Sequence, residues 1–279
     1  MAPTATYRLQ FHKDFTFADG EAIVPYLAEL GFSEVYSSPI LQATPGSLHG
    51  YDVCDPSRVN PELGGGDAFA RLADAAKSHG MGLLLDTVPN HMSVADASNP
   101  WWADVLENGL SSRQASHFDI DWEPDNPNLT GKVLLPILGD QYGRVLESGQ
   151  IRVEYDDGGF VLYCHDSRLP VAPRTAALVF ARAVECLEAT VGHDHDAVQE
   201  LLSIITALDH MPPRARLAPE ATQQRYRAKD VARRRVRALV ESSPEAKTAL
   251  NEAVTAFNGV PGEPATFDAL DQLIEAQAY

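Results

Sequence analysis

Asp86, Asn90 and His91 lie within a single short stretch, Asp86-Thr-Val-Pro-Asn90-His91, directly after the apolar run Met81 to Leu85. A carboxylate, an amide and an imidazole at the carboxyl end of a buried strand can all point into one concave site, which is where barrel enzymes build their chemistry. A plainer arrangement fits the same residues: Asp86 caps the next element and His91 is satisfied inside its loop. A second group is Tyr51 and Asp52, in the stretch His49-Gly-Tyr-Asp-Val. The phenol ring offers a flat face on which a sugar ring can stack. The carboxylate can accept hydrogen bonds from sugar hydroxyls. A structured turn with Asp52 as its cap fits equally well.

The elements needed to position these groups are legible. TYRLQF, residues 6–11, reads as a strand from its β-branched and aromatic content. Ile23, Leu27 and Leu30 recur at helical spacing within 19–30, and Gly31 supplies a stop. EVYSSPI, residues 34–40, is a second strand, and a Gly/Pro-rich loop follows from Leu41 to Gly66. Phe69, Leu72, Ala73 and Ala76 define a helix over 67–79. MGLLLDTV then reads as a strand buried on both faces. Strand, helix, strand, helix, strand in this order implies a parallel α/β architecture. Beyond residue 99, KVLLPIL, QIRVEY and FVLYCH read as strands, with Gly158-Gly159 as a hairpin signal between the last two. Residues 174–257 read as helical, divided by Pro212-Pro213 and by Ser242-Ser243-Pro244.

Composition narrows the partners. The formal net charge of -17 opposes binding to nucleic acid or to an anionic membrane surface. No segment reaches the roughly 20 apolar residues of a membrane-spanning helix. The first residues show no basic start followed by an apolar run, the mark of a secretory signal. Cys54, Cys164 and Cys186 have neither metal-ligand nor disulfide spacing. A cytoplasmic location is the expectation, with no cofactor and no metal. The oligomeric state stays open.

Taken together, the Gly-Tyr-Asp and Asp-Thr-Val-Pro-Asn-His segments resemble the α-amylase superfamily of glycoside hydrolases in order, separation and placement after the second and third strands. YSSPILQATPGSLHGYDV, RVNPELGG, NPWWADVLENG, FDIDW and KVLLPILGDQYGRVLESG, with TYRLQF before them, look like the maltooligosyltrehalose synthase subfamily. That resemblance runs from Thr6 to about Pro170 and returns at LDQLIEAQAY. It implies a (β/α)8 barrel and a retaining glycosidase mechanism turned to isomerisation. In such a reaction the reducing-end α-1,4 linkage of a maltooligosaccharide becomes an α,α-1,1 linkage. By the same resemblance Tyr51 stacks on the sugar that bears the scissile bond, and His91 and Asp52 bind its hydroxyls. Asp86 supports the site from the strand end, and Asn90 orients the loop that carries His91. A different amylase-type hydrolase or glucanotransferase shares these residues. A non-catalytic carbohydrate-binding protein is the reading from another class.

The superfamily nucleophile lies in a Gly-x-Arg-x-Asp motif, and this sequence contains none. The nucleophile and the acid are therefore expected beyond Tyr279, with this chain an inactive fragment by itself. The expected organisation is a partial barrel of three βα units over 1–98, a β-rich insertion over 99–170, a helical insertion over 171–262, and a return toward the barrel over 263–279. Some residues carry two readings. Trp101 and Trp102 are adjacent and rarely share a face, so one lines the cleft and one is core. Glu107 either touches the reducing-end glucose or sits on a helix surface. Asp119 and Asp121 read as turn or strand-edge residues, and His193 and His195 as a polar turn. Arg233 to Arg235 and Arg237 read as the solvated face of a helix.

Overall fold

The computed structural model describes residues 3–95 and 97–279. The chain divides between Pro100 and Trp101 into two compact units.

The first unit runs β1 (Thr6–Leu9), α1 (Phe17–Glu29), β2 (Glu34–Ser37), β3 (Leu41–Ala43), β4 (Val53–Val59), α2 (Gly65–Ser78) and β5 (Gly82–Leu85). The Asp19 carboxylate accepts from the Thr16 backbone N–H at 2.7 Å, which satisfies a donor at the start of α1. Gly31, just past the helix, takes φ 87°, a left-handed value that glycine adopts without strain. Strands β1, β2 and β5 form a parallel sheet in the order β1-β2-β5. Because side chains alternate across a strand, Leu9, Val35 and Leu83 face one way. They pack with Phe17, Val24 and Leu27 of α1 and with Leu72 and Ala76 of α2. Arg8 and Tyr36 are in register with Leu84, so all three face the other way, and Asp86, two residues on, follows Leu84.

Two expectations are corrected here. The loop from Leu41 to Gly66 holds an antiparallel ribbon of β3 and β4, with register shifts along it. Strand β5 is not buried on both faces: Leu84 and Leu85 are 42% and 38% exposed. Helices cover one face of the sheet, and β5 pairs with β2 alone, so an apolar run that would suit a central barrel strand lies at a sheet edge.

The second unit comprises α3 (Pro100–Asn108), α4 (Tyr142–Glu147), the strands β6 (Ile151–Asp156), β7 (Gly159–Cys164) and β8 (Ser167–Pro170), and the helices α5 (Pro173–Val191), α6 (Asp196–Asp209), α7 (Pro219–Ser242), α8 (Pro244–Phe257) and α9 (Asp268–Glu275). The β-rich reading of 99–170 holds only for its end. KVLLPIL is irregular backbone: Pro136 cannot donate to a ladder, the Val133 N–H is taken by the Ala278 carbonyl, and Leu134 is 76% exposed. Strands β6, β7 and β8 form an antiparallel meander. The segments expected as separate insertions share one core, in which Val153 and Leu162 of the meander pack with Val179 and Leu250 of the helices and with Leu270 and Leu273 of α9. No helix among the described residues is long and apolar enough to cross a membrane.

The turn between β6 and β7 lies one residue earlier than the Gly-Gly signal. Asp157 and Gly158 both have positive φ, 45° and 81°, the pairing of a type I′ hairpin. A Cβ on Gly158 would stand 2.3 Å from the Arg233 carbonyl oxygen. Gly158→Ala should therefore cost at least about 2 kcal/mol, from left-handed strain plus displacement of α7. Urea unfolding measures this, and a loss below about 0.5 kcal/mol would show that α7 yields freely.

Candidate active site

The face of the parallel sheet turned away from its helices carries a polar cluster at the carboxyl ends of the strands. Arg8 comes from β1, Tyr36 from β2 and Asp86 from the residue after β5, while Tyr51 arrives from the loop between β3 and β4. Three donors converge on Oδ2 of Asp86: the Tyr51 hydroxyl at 2.5 Å, Arg8 Nη1 at 3.1 Å and the Tyr36 hydroxyl at 3.2 Å. Arg8 Nη2 also donates to the Tyr51 oxygen at 2.9 Å, and its guanidinium lies 4.6 Å from the centre of the Tyr36 ring. The hydrogen bond from Tyr51, aided by those from Arg8 and Tyr36, holds the Asp86 carboxyl below the usual carboxylate range. The same bond raises the Tyr51 phenol, which keeps its proton. A carboxylate stabilised this way orients donors and does not act as a proton source near neutrality.

The loop that brings Tyr51 is fixed at several points. Gln10 Nε2 donates to the His49 carbonyl at 3.0 Å and to that of Leu48 at 3.4 Å, tying the loop to the end of β1. Gly50 has φ 77°, and a Cβ there would meet the Pro39 carbonyl oxygen at 3.0 Å, so the chain needs glycine at this turn. His91 Nε2 lies 3.1 Å from the Tyr51 carbonyl. His91 Nδ1 lies 3.2 Å from Asn90 Oδ1. Asn90 and His91 thus pin the same loop from the far side.

Of the residues singled out in the sequence, Tyr51, Asp86, Asn90 and His91 form one hydrogen-bonded group. Asp52 turns into its own loop: Oδ1 accepts from Ser47 Oγ at 2.5 Å, His49 Nδ1 lies 3.7 Å away, and the Asp52 carbonyl accepts from the Thr44 N–H. The remaining two lie in the second unit. The Trp101 ring is 4.7 Å from that of His117. Glu107 is on neither a helix surface nor an open cleft wall. It is buried, with Lys229 Nζ at 2.7 Å from Oε2 and Arg233 Nη2 at 2.6 Å from Oε1. Three arginines of the run are ion-paired, Arg233 with Glu107, Arg235 with Glu200 and Arg237 with Asp157, and Arg234 is exposed. His193 pairs with Glu188, and His195 caps α6 by accepting from the Ala197 N–H. Among the described residues, no group of three or more His, Cys, Asp or Glu side chains is placed to hold a metal ion.

Arg8, Tyr36 and Gln10 did not stand out in the sequence. Arg8 carried a readable signal, a charged residue in the middle of a strand otherwise rich in aromatic and apolar side chains. Its pairing with Asp86 spans 78 positions, and only the register of the sheet reveals it.

Residues 22–136 match the family described as alpha amylase, catalytic domain. That stretch is therefore similar to an α-amylase catalytic domain, and it includes Tyr36, Tyr51 and Asp86 of the polar cluster. Within that class the chain is similar to maltooligosyl trehalose synthases. A Mycobacterium tuberculosis protein of that name is 47% identical over 175 residues, 61% of this chain and 21% of the relative. The structure of maltooligosyltrehalose synthase from Arthrobacter ramosus aligns with a TM-score of 0.55 at 44% identity, over 62% of this chain and 22% of that one. An intracellular maltogenic amylase of Bacillus subtilis is 36% identical over 110 residues, 38% of this chain and 18% of the relative. The chain spans about a fifth of the length of these relatives.

Proposed function

We propose that this chain is the amino-terminal part of a maltooligosyltrehalose synthase, converting the reducing-end α-1,4 linkage of a maltooligosaccharide to an α,α-1,1 linkage through a glycosyl-enzyme. The observation that carries this reading is the Arg8–Tyr36–Tyr51–Asp86 cluster at the carboxyl ends of parallel strands, in a chain of which 175 residues align at 47% identity with a protein of that name. In it Tyr51 presents a ring to the sugar beside the scissile bond, and Asp86 and Arg8 hold that ring in place. His91 and Asp52 bind sugar hydroxyls. Glu107 is left out of the contacting set because cations already engage both of its oxygens. The isomerisation needs no metal or cofactor. Trehalose biosynthesis in the cytoplasm is the setting that suits it.

Retention at the anomeric carbon requires a nucleophile and an acid about 5 Å apart. Asp86 is poorly suited to the acid's role, since three donors on its Oδ2 hold the carboxyl below the usual range. Those two carboxyl groups are proposed to come from outside this chain, which is then inactive by itself. The test incubates maltopentaose with the 279-residue chain and, in parallel, with a protein that continues it into a Gly-x-Arg-x-Asp segment. The longer protein should remove reducing ends without shortening the sugar, and the chain alone should do nothing. Release of glucose and shorter maltooligosaccharides would replace this reading with an amylase-type hydrolase. A trehalose-ended product from the chain alone would assign one of the present carboxylates as nucleophile.

A further inference from the structure

The second unit holds a concentration of positive charge that the sugar chemistry does not use. Arg174, at the second position of α5, Arg214, in the connection between α6 and α7, and Arg225, within α7, line one cavity of about 630 Å³. This is an unusual place for three guanidinium groups in a chain of net charge -17. Arg225 is fully buried. Its Nε donates to Asn108 Oδ1 at 3.1 Å and its Nη1 to the Pro212 carbonyl at 2.6 Å. Arg214 Nη2 donates to the Ala276 carbonyl at 2.5 Å. Among the described residues, neither Arg225 Nη2 nor Arg214 Nη1 has an acceptor, and both atoms are buried. A buried donor with no acceptor forfeits its solvation, and the loss is larger when it is charged.

The electrostatics agree with the geometry. Burial, and then the charge of Arg214, push the Arg225 guanidinium down to about 10. Arg214 is also lowered, by burial first and by Arg174. Like charges are thus held together against their repulsion, as they are where an anion completes a site. The start of α5 adds to this. Ala172, its N-cap, makes no side-chain cap hydrogen bond, and Ala172 and Thr175 face the same cavity. A helix amino terminus favours negative charge there. Asp209 and Glu275 also border the cavity, and Glu275 is already paired with Lys132 at 3.2 Å.

We infer that this cavity is an anion site for a phosphate group, with Arg174, Arg214 and Arg225 as its ligands. A tetrahedral oxyanion can take donors from three separate guanidinium groups at once, which a planar carboxylate does less well. The volume exceeds what a bare phosphate fills and falls in the range of small-molecule pockets, so a phosphorylated small molecule fits as well as the free ion.

Calorimetry on the 279-residue chain at low ionic strength, with inorganic phosphate, glucose 1-phosphate and citrate as probes, tests this. Chloride at matched ionic strength is the control. One saturable phosphate site per chain is expected. Arg174→Gln and Arg214→Gln should each weaken it by about tenfold, the worth of one charge-assisted hydrogen bond. Arg174 is exposed, so its replacement leaves the fold intact and keeps the comparison clean, whereas Arg225 also holds the chain together. Tighter binding of glucose 1-phosphate assigns a sugar phosphate, and equal binding assigns free phosphate. No saturable binding beyond the chloride control, citrate binding tighter than either phosphate, or phosphate affinity unchanged in both variants would overturn the inference.

Discussion

Glu107→Ala should destabilise the second unit by about 3–5 kcal/mol, the usual cost of removing one partner from a buried ion pair. In a unit that spans Trp101–Tyr279, this amounts to a fall in Tm of roughly 6–20 °C. The reason is the company that the carboxylate keeps. Lys229 and Arg233 each donate to a different oxygen, and the Lys229 side chain is itself only 11% exposed. The Glu107 charge also supports the buried Arg225 guanidinium. Alanine would leave these cations facing one another with no anion between them, and like charges in a poorly solvated interior repel strongly. Glu107→Gln keeps the shape and loses the charge, so it should recover little. The pair Glu107→Leu with Lys229→Met removes the two most buried charges and leaves Arg233, whose side chain is 35% exposed, to water. It should recover part of the loss, because an apolar replacement of a buried pair is often close to neutral. Thermal unfolding of the four proteins checks this. A change below about 1 kcal/mol in Glu107→Ala would mean that water reaches the pair and screens it, as for a surface salt bridge.

Glu107 also shows where sequence reading stopped. As a charged residue on a short helix it could be placed on a surface or in a cleft, since its partners lie 122 and 126 positions away on α7. Local periodicity carries no information about a pairing at that distance. The arginine run was legible as a solvent-facing side of a helix, but not its ion pairs, for the same reason. Its apolar neighbours, Val236 and Leu239, correctly marked a core face, while the acids that pair with the arginines come from separate elements. By contrast β1, α1, β2, α2 and β5 were legible, because each is written in a local pattern of side chains, and glycine or proline closes α1, β2 and α2. KVLLPIL misread as a strand because its apolar content outweighed Pro136, which the backbone obeys. At the candidate site, Asp86 and Tyr51 were legible as residue types at strand ends. Arg8 and Tyr36 join them through parallel register, a property of paired strands that a single strand does not express.

Asp86→Asn, in a protein that carries the complete barrel, should lower kcat/KM by about 100-fold while leaving the sheet folded. Asparagine keeps the size of the side chain but accepts less strongly and removes the charge that anchors Arg8. Three donors would lose their common acceptor. Tyr51, 38% exposed and held by its hydroxyl, would then be free to turn away from the position in which its ring is proposed to meet the sugar. A displacement of about 1 Å in a positioning group is enough for a loss of that order. Tyr51→Phe separates the two contributions. It keeps the ring and removes the hydroxyl, so it should cost only about tenfold if stacking is the ring's task and Asp86 its guide. The acid limb of unfolding gives a second readout. The Asp86 carboxyl is lowered in the folded chain, first by Tyr51 and then by Arg8 and Tyr36. Its stabilising effect is therefore fully present above the unfolded pKa and is lost as pH falls through the folded value. Wild type should lose stability below about pH 4 more steeply than Asp86→Asn, with the two curves converging at lower pH. Parallel curves, together with an unchanged kcat/KM, would show that the carboxylate neither holds Tyr51 nor supports the site.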